Sequence, residues 1–224
     1  MKRTLTTIAA CWVTLAAWSQ SSWNTNLTLN ALIPDNDPNG FADAIPVAGL
    51  TGPIANVTVT LDITGGFNGD LYAYLAGPSG GFAVLLNRMG LSSSNAFGYS
   101  DAGLNVTFSA GAANGNIHNY QNVPGYATLI SNGSDWMPDG RNMDPQSAGG
   151  AFDSAAVTAN FNTFFGTDPN GTWTFFISDL SPGGQSSLAG LGLDVTVVPE
   201  PQTGVLMGLA ALLGISRLRN RFRR

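Results

Sequence analysis

The 224 residues contain a single cysteine, a single histidine, a single lysine and a single glutamate. Cys11 lies in an apolar stretch near the N-terminus, so a chain cleaved behind it has no thiol, and a disulfide framework is excluded. An exported protein without disulfides must take its rigidity from a good core or a bound metal. Charge is also scarce, at 10% of residues. Between the basic ends, Arg88 and Arg141 stand alone against thirteen aspartates, which leaves that stretch at −11 although the whole chain carries −5. Such a surface repels nucleic acid and anionic lipid and attracts cations, so nucleic acid is excluded as a partner. A helical protein would need Ala, Leu, Glu and Lys in bulk. The 28 glycines and 12 prolines instead suit a turn-rich all-β chain.

The ingredients of catalysis are equally thin. An enzyme needs an activated nucleophile, an acid–base pair or an open metal site. His118 is the sole histidine, and counting alone leaves a Ser-His-Asp triad open, but nothing marks a partner serine. A lone loop histidine is more often a hydrogen-bonding residue. Paired aspartates could hydrolyse glycosides only at a separation that a sequence does not show. The expectation is a protein that is not an enzyme, with no catalytic residues.

The two ends carry other signals. Lys2 and Arg3 precede an apolar run over residues 8–18, and Ala17-Trp18-Ser19 puts small residues at the −3 and −1 positions of a cleavage site. This pattern predicts a secretory signal peptide over residues 1–19. A lipoprotein box, Ile8-Ala9-Ala10-Cys11, is the rival reading, but the apolar stretch before Cys11 is short for it. At the other end Val198-Pro199-Glu200-Pro201 leads into an apolar run over residues 203–215, then Arg217, Arg219, Arg221, Arg223 and Arg224. A helix there rises roughly 20 Å against a hydrocarbon core of about 30 Å, and the arginines would stay on the cytoplasmic side. An amphipathic helix of the domain is the plainer alternative. Gly204, Gly208 and Gly214 and the lack of a polar face argue against it. The motif Pro199, Glu200, Pro201, its apolar helix and its arginine cluster resemble the PEP-CTERM sorting signal. That resemblance implies processing by signal peptidase and exosortase. It also implies export across the inner membrane, a transient C-terminal anchor, and delivery to the surface, outer membrane or exterior of a Gram-negative bacterium that makes exopolysaccharide.

Residues 20–198 remain as one domain. Val57, Val59, Leu61 and Ile63 alternate with polar residues, the period of a half-buried strand. Leu71, Ala73 and Leu75 alternate with Tyr72 and Tyr74. Trp173, Phe175 and Ile177 repeat the pattern, as do Leu191, Leu193, Val195 and Val197, and residues 82–86 form a short apolar run. Turn clusters lie between them: Gly65-Gly66, Asn68-Gly69, Gly77-Pro78-Ser79-Gly80-Gly81, Pro169-Asn170-Gly171 and Pro182-Gly183-Gly184. These signals predict an antiparallel β-sandwich or jelly roll. Residues 114–153 are irregular, and His118, Tyr120, Tyr126 and Trp136 within them form either a small satellite core or a binding surface.

Several stretches taken in order resemble the P domain (P/Homo B domain) that follows the catalytic domain of subtilisin-like proprotein convertases. They are residues 33–40, 54–63, Gly69-Asp70-Leu71, 75–86, Asn170-Gly171-Thr172-Trp173 through Asp179, and 188–197. Gly65-Gly66 stands where many members have a histidine, and residues 136–145 belong to a longer loop than usual. The resemblance implies a galactose-binding-like jelly roll. It also implies that any serine-endopeptidase label would be inherited, since no catalytic domain accompanies it.

Calcium is the chemical expectation. Asp35-Asn36-Asp37-Pro38-Asn39-Gly40-Phe41-Ala42-Asp43 matches the first half of a calcium loop, with oxygens at alternate positions, but Pro46 stands where a bidentate Glu belongs. An Asx-rich turn is the competing reading. The proposed ligands are Asp35, Asp37, Asn39 and Asp43, with Asp70 and Asp179 added from the P-domain pattern. The Asn-x-Ser/Thr sites at Asn26, Asn56, Asn105, Asn132 and Asn170 are expected by chance in an Asn-rich bacterial chain. Three functions are weighed. The first is a non-catalytic surface or extracellular-matrix protein with an interaction module that contacts polysaccharide or another surface protein. The second is a carbohydrate-binding module presenting Tyr72, Tyr74, Tyr99, Tyr120, Tyr126 and Trp136. The third is an accessory to a separate serine endopeptidase.

Overall fold

The structure, a computed structural model, describes residues 21–198. The expected signal peptide at 1–19 and the sorting segment at 199–224 lie outside the described residues.

Among the described residues there are nine strands: β1 (Ser22–Leu32), β2 (Asp37–Val47), β3 (Ile54–Gly65), β4 (Leu71–Ala76), β5 (Phe82–Asn87), β6 (Leu104–Phe108), β7 (Ser134–Trp136), β8 (Gly171–Asp179) and β9 (Ser186–Val197). They form a five-stranded sheet ordered β1-β9-β3-β6-β7 and a four-stranded sheet ordered β2-β8-β4-β5. Every pairing is antiparallel except β6 with β7.

The alternation read from the sequence sets the inner faces. In β3, Val57, Val59 and Leu61 are fully buried and pair in register with Val195, Leu193 and Leu191 of β9. Across the sandwich, Leu75 of β4 stands opposite Phe175 of β8, and Ala73 opposite Ile177, all with no exposed surface. Each such large side chain contributes about 1.5–3 kcal/mol by leaving water. Trp173 closes this layer and donates its indole N–H to the Pro169 carbonyl at 2.9 Å. The run at β5 is continuous rather than alternating because both its faces are covered. Residues 139–140 and 159 bond to its outer edge through Asp139 N to Leu85 O, Gly140 N to Val84 O and Val84 N to Ala159 O.

Three strands outside the irregular stretch were not expected: β1, β2 and the five-residue β6, whose Leu104, Val106 and Phe108 are buried. β1 is an edge strand whose inner face, Trp23, Leu27 and Leu29, is diluted by Thr25, so its signal is weak. β2 contains Pro38 and Pro46, which cannot donate to a ladder, and it too runs along a sheet edge, where proline is tolerated. The register of β2 against β8 shifts between Asp37 and Phe41. Gly40 sits in that bulge at φ +52°, and a Cβ there would run into the Ile177 carbonyl. The irregular stretch 114–153 folds down as short helical turns and β7. Tyr120 and Trp136 have no exposed surface and belong to the main core.

Candidate functional site

At one end of the sandwich, three turns bring carboxylates together. Asp179 ends β8, Asp70 closes a short 3-10 turn (Asn68–Asp70) before β4, and Asp35 lies between β1 and β2. Leu71 pairs with Asp179 across β4 and β8, and the Leu180 N–H donates to the Asp70 carbonyl. Asp35 accepts the Gly183 N–H at 3.1 Å from the β8–β9 turn. The one cation here is Arg88, whose Nη2 stands 3.6 Å from Asp70 Oδ1 while its Nε donates to the Gly69 carbonyl at 2.6 Å. Asp179 is wholly buried and has only long bonds, from Ser181 N at 3.3 Å and Ser186 Oγ at 3.4 Å. Burial, with the charges of Asp70 and Asp35 adding to it, raises Asp179 to about 6. Burial raises Asp70 as well, against the pull of Ser181 and Arg88.

The expected calcium loop is not gathered. Asp37 Oδ1 accepts both the backbone and side-chain N–H of Asn39, at 2.9 and 2.8 Å, and Asp43 Oδ1 accepts the Ala44 N–H. The stretch is a self-bonded Asx turn running into an extended strand, which splays alternate side chains instead of curling them around one point. Among the described residues, no three His, Cys, Asp or Glu side chains come together as metal ligands would. Of the six proposed ligands, Asp35, Asp70 and Asp179 share a neighbourhood, and Asp37, Asn39 and Asp43 are satisfied locally.

His118 sits in a separate buried cluster. Its Nδ1 lies 2.7 Å from Asp139 Oδ2, and its Nε2 lies 3.1 Å from the Leu91 carbonyl oxygen. Asp139 also accepts from Arg141 Nη1 at 3.1 Å and from the Arg141 backbone N–H at 3.3 Å. The Phe152 ring stacks on the imidazole, with centroids 5.8 Å apart and planes 11° apart. A carbonyl and a carboxylate both only accept, so each ring nitrogen faces an acceptor. The expectation that no Gly-x-Ser-x-Gly spacing marks a serine needs correcting, since the residues Gly77-Pro78-Ser79-Gly80-Gly81 have that spacing. They form the β4–β5 hairpin loop rather than a strand-to-helix turn, closed by Gly77 N to Gly81 O, and Ser79 Oγ donates to the Asp168 carbonyl at 2.8 Å.

The aromatic residues divide sharply. Trp136 and Tyr120 are core residues and present nothing to a ligand: a large ring in a loop packed over the core gains more from burial than from solvent. The Tyr120 hydroxyl donates to Asp101 Oδ2 at 2.8 Å, and the Trp136 indole donates to the Leu129 carbonyl at 3.3 Å. Tyr126 and Tyr99 are half-buried against Tyr120. Tyr72 and Tyr74 do reach the outer face of the four-stranded sheet, joined by Phe176 and Phe82. Ring centroids run Tyr72–Phe176 at 6.3 Å, Phe176–Tyr74 at 5.0 Å and Tyr74–Phe82 at 5.0 Å. Tyr74 and Phe176 are stacked at 18°, so their faces cover each other.

No known protein family matches the chain. No curated protein matches it either. Among solved structures, it is similar to a chain of the Aeromonas sobria serine protease–chaperone complex, at 16% identity and a TM-score of 0.40, covering 79% of this chain and 26% of that one. It is also similar to the serine protease of Aeromonas sobria alone, at 13% identity and a TM-score of 0.41, covering 80% and 27%. The chain thus spans about a quarter of the length of the chains it matches.

Proposed function

We propose that this chain is a secreted, surface-delivered protein that acts by binding rather than by catalysis, its sandwich serving as the interaction module. The observation that carries this reading is the engagement of His118. Its Nε2 faces the Leu91 carbonyl, where a nucleophile's hydroxyl would have to stand, and its Nδ1 faces Asp139. The only imidazole in the chain is thereby used for cohesion. The finer reading is a P-domain-like jelly roll, and it is supported by the way β1 to β4 alternate between the two sheets and β7 to β9 do so again. The end segments supply the address, through a signal peptide at 1–19 and a PEP-CTERM-like segment at 199–224 cut by exosortase in a Gram-negative host.

Two measurements test the reading. Fractionation of the native bacterium with mass determination of the chain should find it at the surface or outside, without its N-terminal segment and cut near Pro199. An intact chain in the cytosol would overturn the reading. Incubation of the purified chain with a peptide library should give no cleavage; cleavage abolished by His118→Ala would show that the imidazole is catalytic.

A further inference from the structure

We propose that the groove at the β4–β5 hairpin binds a neutral saccharide, an inference that rests on the extracellular reading above. The groove, of about 390 Å³, is lined by Ser79, Gly80, Gly81, Phe82, Asn142, Thr158, Ala159 and Thr163. None of these residues is charged, although the stretch between the chain's basic ends carries thirteen aspartates. A cationic ligand finds no counter-charge in the lining, and an anionic one meets a negative protein whose nearest arginine by sequence, Arg141, is paired with Asp139.

The lining chemistry narrows the ligand further. Phe82 supplies an aromatic wall and is held by Tyr74, whose ring packs against it at 5.0 Å. The side chains of Asn142 and Thr158 are exposed at the groove, and no hydrogen bond of either occurs within the described residues. Ser79 and Thr163 are already engaged, with the Asp168 carbonyl and with the Phe82 and Asn160 backbone respectively. One ring beside one unused amide and one unused hydroxyl suits a ligand with an apolar ring face and equatorial hydroxyls. A lipid or other greasy ligand would find only Phe82 and Ala159.

An extended peptide is excluded by the state of the adjacent strand edge. Peptides add to sheets through unpaired backbone groups. Along β5, the Phe82 N–H is taken by Thr163 Oγ1, the Val84 N–H by Ala159 O, the Val84 carbonyl by Gly140 N–H and the Leu85 carbonyl by Asp139 N–H. Recognition at this groove therefore runs through side chains. The tight β4–β5 turn also fixes the floor, since a Cβ at Gly81 would collide with the Phe164 ring.

The test is an array of neutral gluco-, manno- and galacto-oligosaccharides beside uronic-acid and sulfated oligomers, probed with the full chain. Binding to neutral oligomers is expected, weakened at least tenfold by the exposed double substitution Asn142→Ala/Thr158→Ala and by Phe82→Leu, with the melting temperature of the double variant unchanged. A blank array, binding to acidic oligomers alone, or neutral binding untouched by the double variant overturns the groove. A surface-located chain with a blank array sinks this inference alone; a cytosolic chain that still binds sugar sinks the extracellular reading alone.

Discussion

His118 Nε2 lies 3.1 Å from the carbonyl oxygen of Leu91, and that contact ties the loop after β5 to the Ile117–Asn122 turn. With Nδ1 bound to Asp139, the ring joins three chain segments far apart in sequence. His118→Ala strands two buried acceptors, and Asp139 keeps only Arg141. A loss of about 2–4 kcal/mol in chemical denaturation is expected. Arg141→Ala, which leaves the imidazole in place, should cost less. A His118→Ala variant as stable as the parent would show that the network contributes no cohesion.

The aromatic ladder makes a second claim. Phe176 is an outward-facing residue, so a simple inside–outside rule assigns it little importance. It is nevertheless flanked by Tyr72 and Tyr74, and the stacked Tyr74 ring is its cross-strand partner. A double-mutant cycle of Tyr74→Ala and Phe176→Ala should give a coupling of about 0.5–1.5 kcal/mol, the range of aromatic pairs. Zero coupling would leave these rings free to serve a ligand.

Asp179 sets the pH dependence. Its folded value is about 6 against 3.8 for an ordinary aspartate, chiefly through burial. Between those values the folded chain holds a proton that the unfolded chain has released. Stability from this group is therefore greatest below about pH 4, falls as pH rises through 6, and is level above that, by on the order of 2–3 kcal/mol. Asp70 is shifted the same way and adds to the slope. Denaturation of the parent and of Asp179→Asn at pH 5 and pH 8 checks this. The variant should be the more stable of the two at pH 8, and the gap should shrink at pH 5. A variant weaker than the parent at pH 8 would overturn the assignment.

How much of this was legible in the sequence depended on local pattern. β3, β4, β8 and β9 announced themselves because one face of each is buried and the other wet, so residue types alternate. β5 showed as an apolar run because both its faces are covered. β1 and β2 escaped for the opposite reason: an edge strand tolerates threonine and proline on positions that a central strand would not. The same edge explains why 35–43 looked like a loop; spacing of oxygens along a sequence does not say whether the backbone curls or extends. Asp70 and Asp179 were found only through a family resemblance, being 109 residues apart. The partners of His118 had no signal at all, because Asp139 sits in a Pro-Asp-Gly triplet that reads as a turn. Trp136 and Tyr120 were open to a core or a binding role, because irregular sequence carries no period that says which way a ring turns; both lie in the core.

The crowded carboxylates make a last prediction that separates a proton from a cation. Asp35, Asp70 and Asp179 repel one another, and Arg88 is the one basic residue among them. At pH 5 a proton on Asp179 relieves the repulsion, and at pH 8 only a counter-ion can. A few millimolar calcium chloride should thus raise the melting temperature at pH 8 and leave it nearly unchanged at pH 5, because a divalent counter-ion drawn to the crowded charge offsets a repulsion that only the folded form has, without the side chains closing round it as ligands. Sodium chloride at equal ionic strength controls for screening of the wider negative surface, which falls off over about 10 Å at 0.1 M. Asp179→Asn removes the buried charge without removing its shape, so calcium should lose its effect there at both pH values. If calcium stabilises the variant as strongly as the parent, the ion acts elsewhere and the crowding of these three aspartates is not what it relieves.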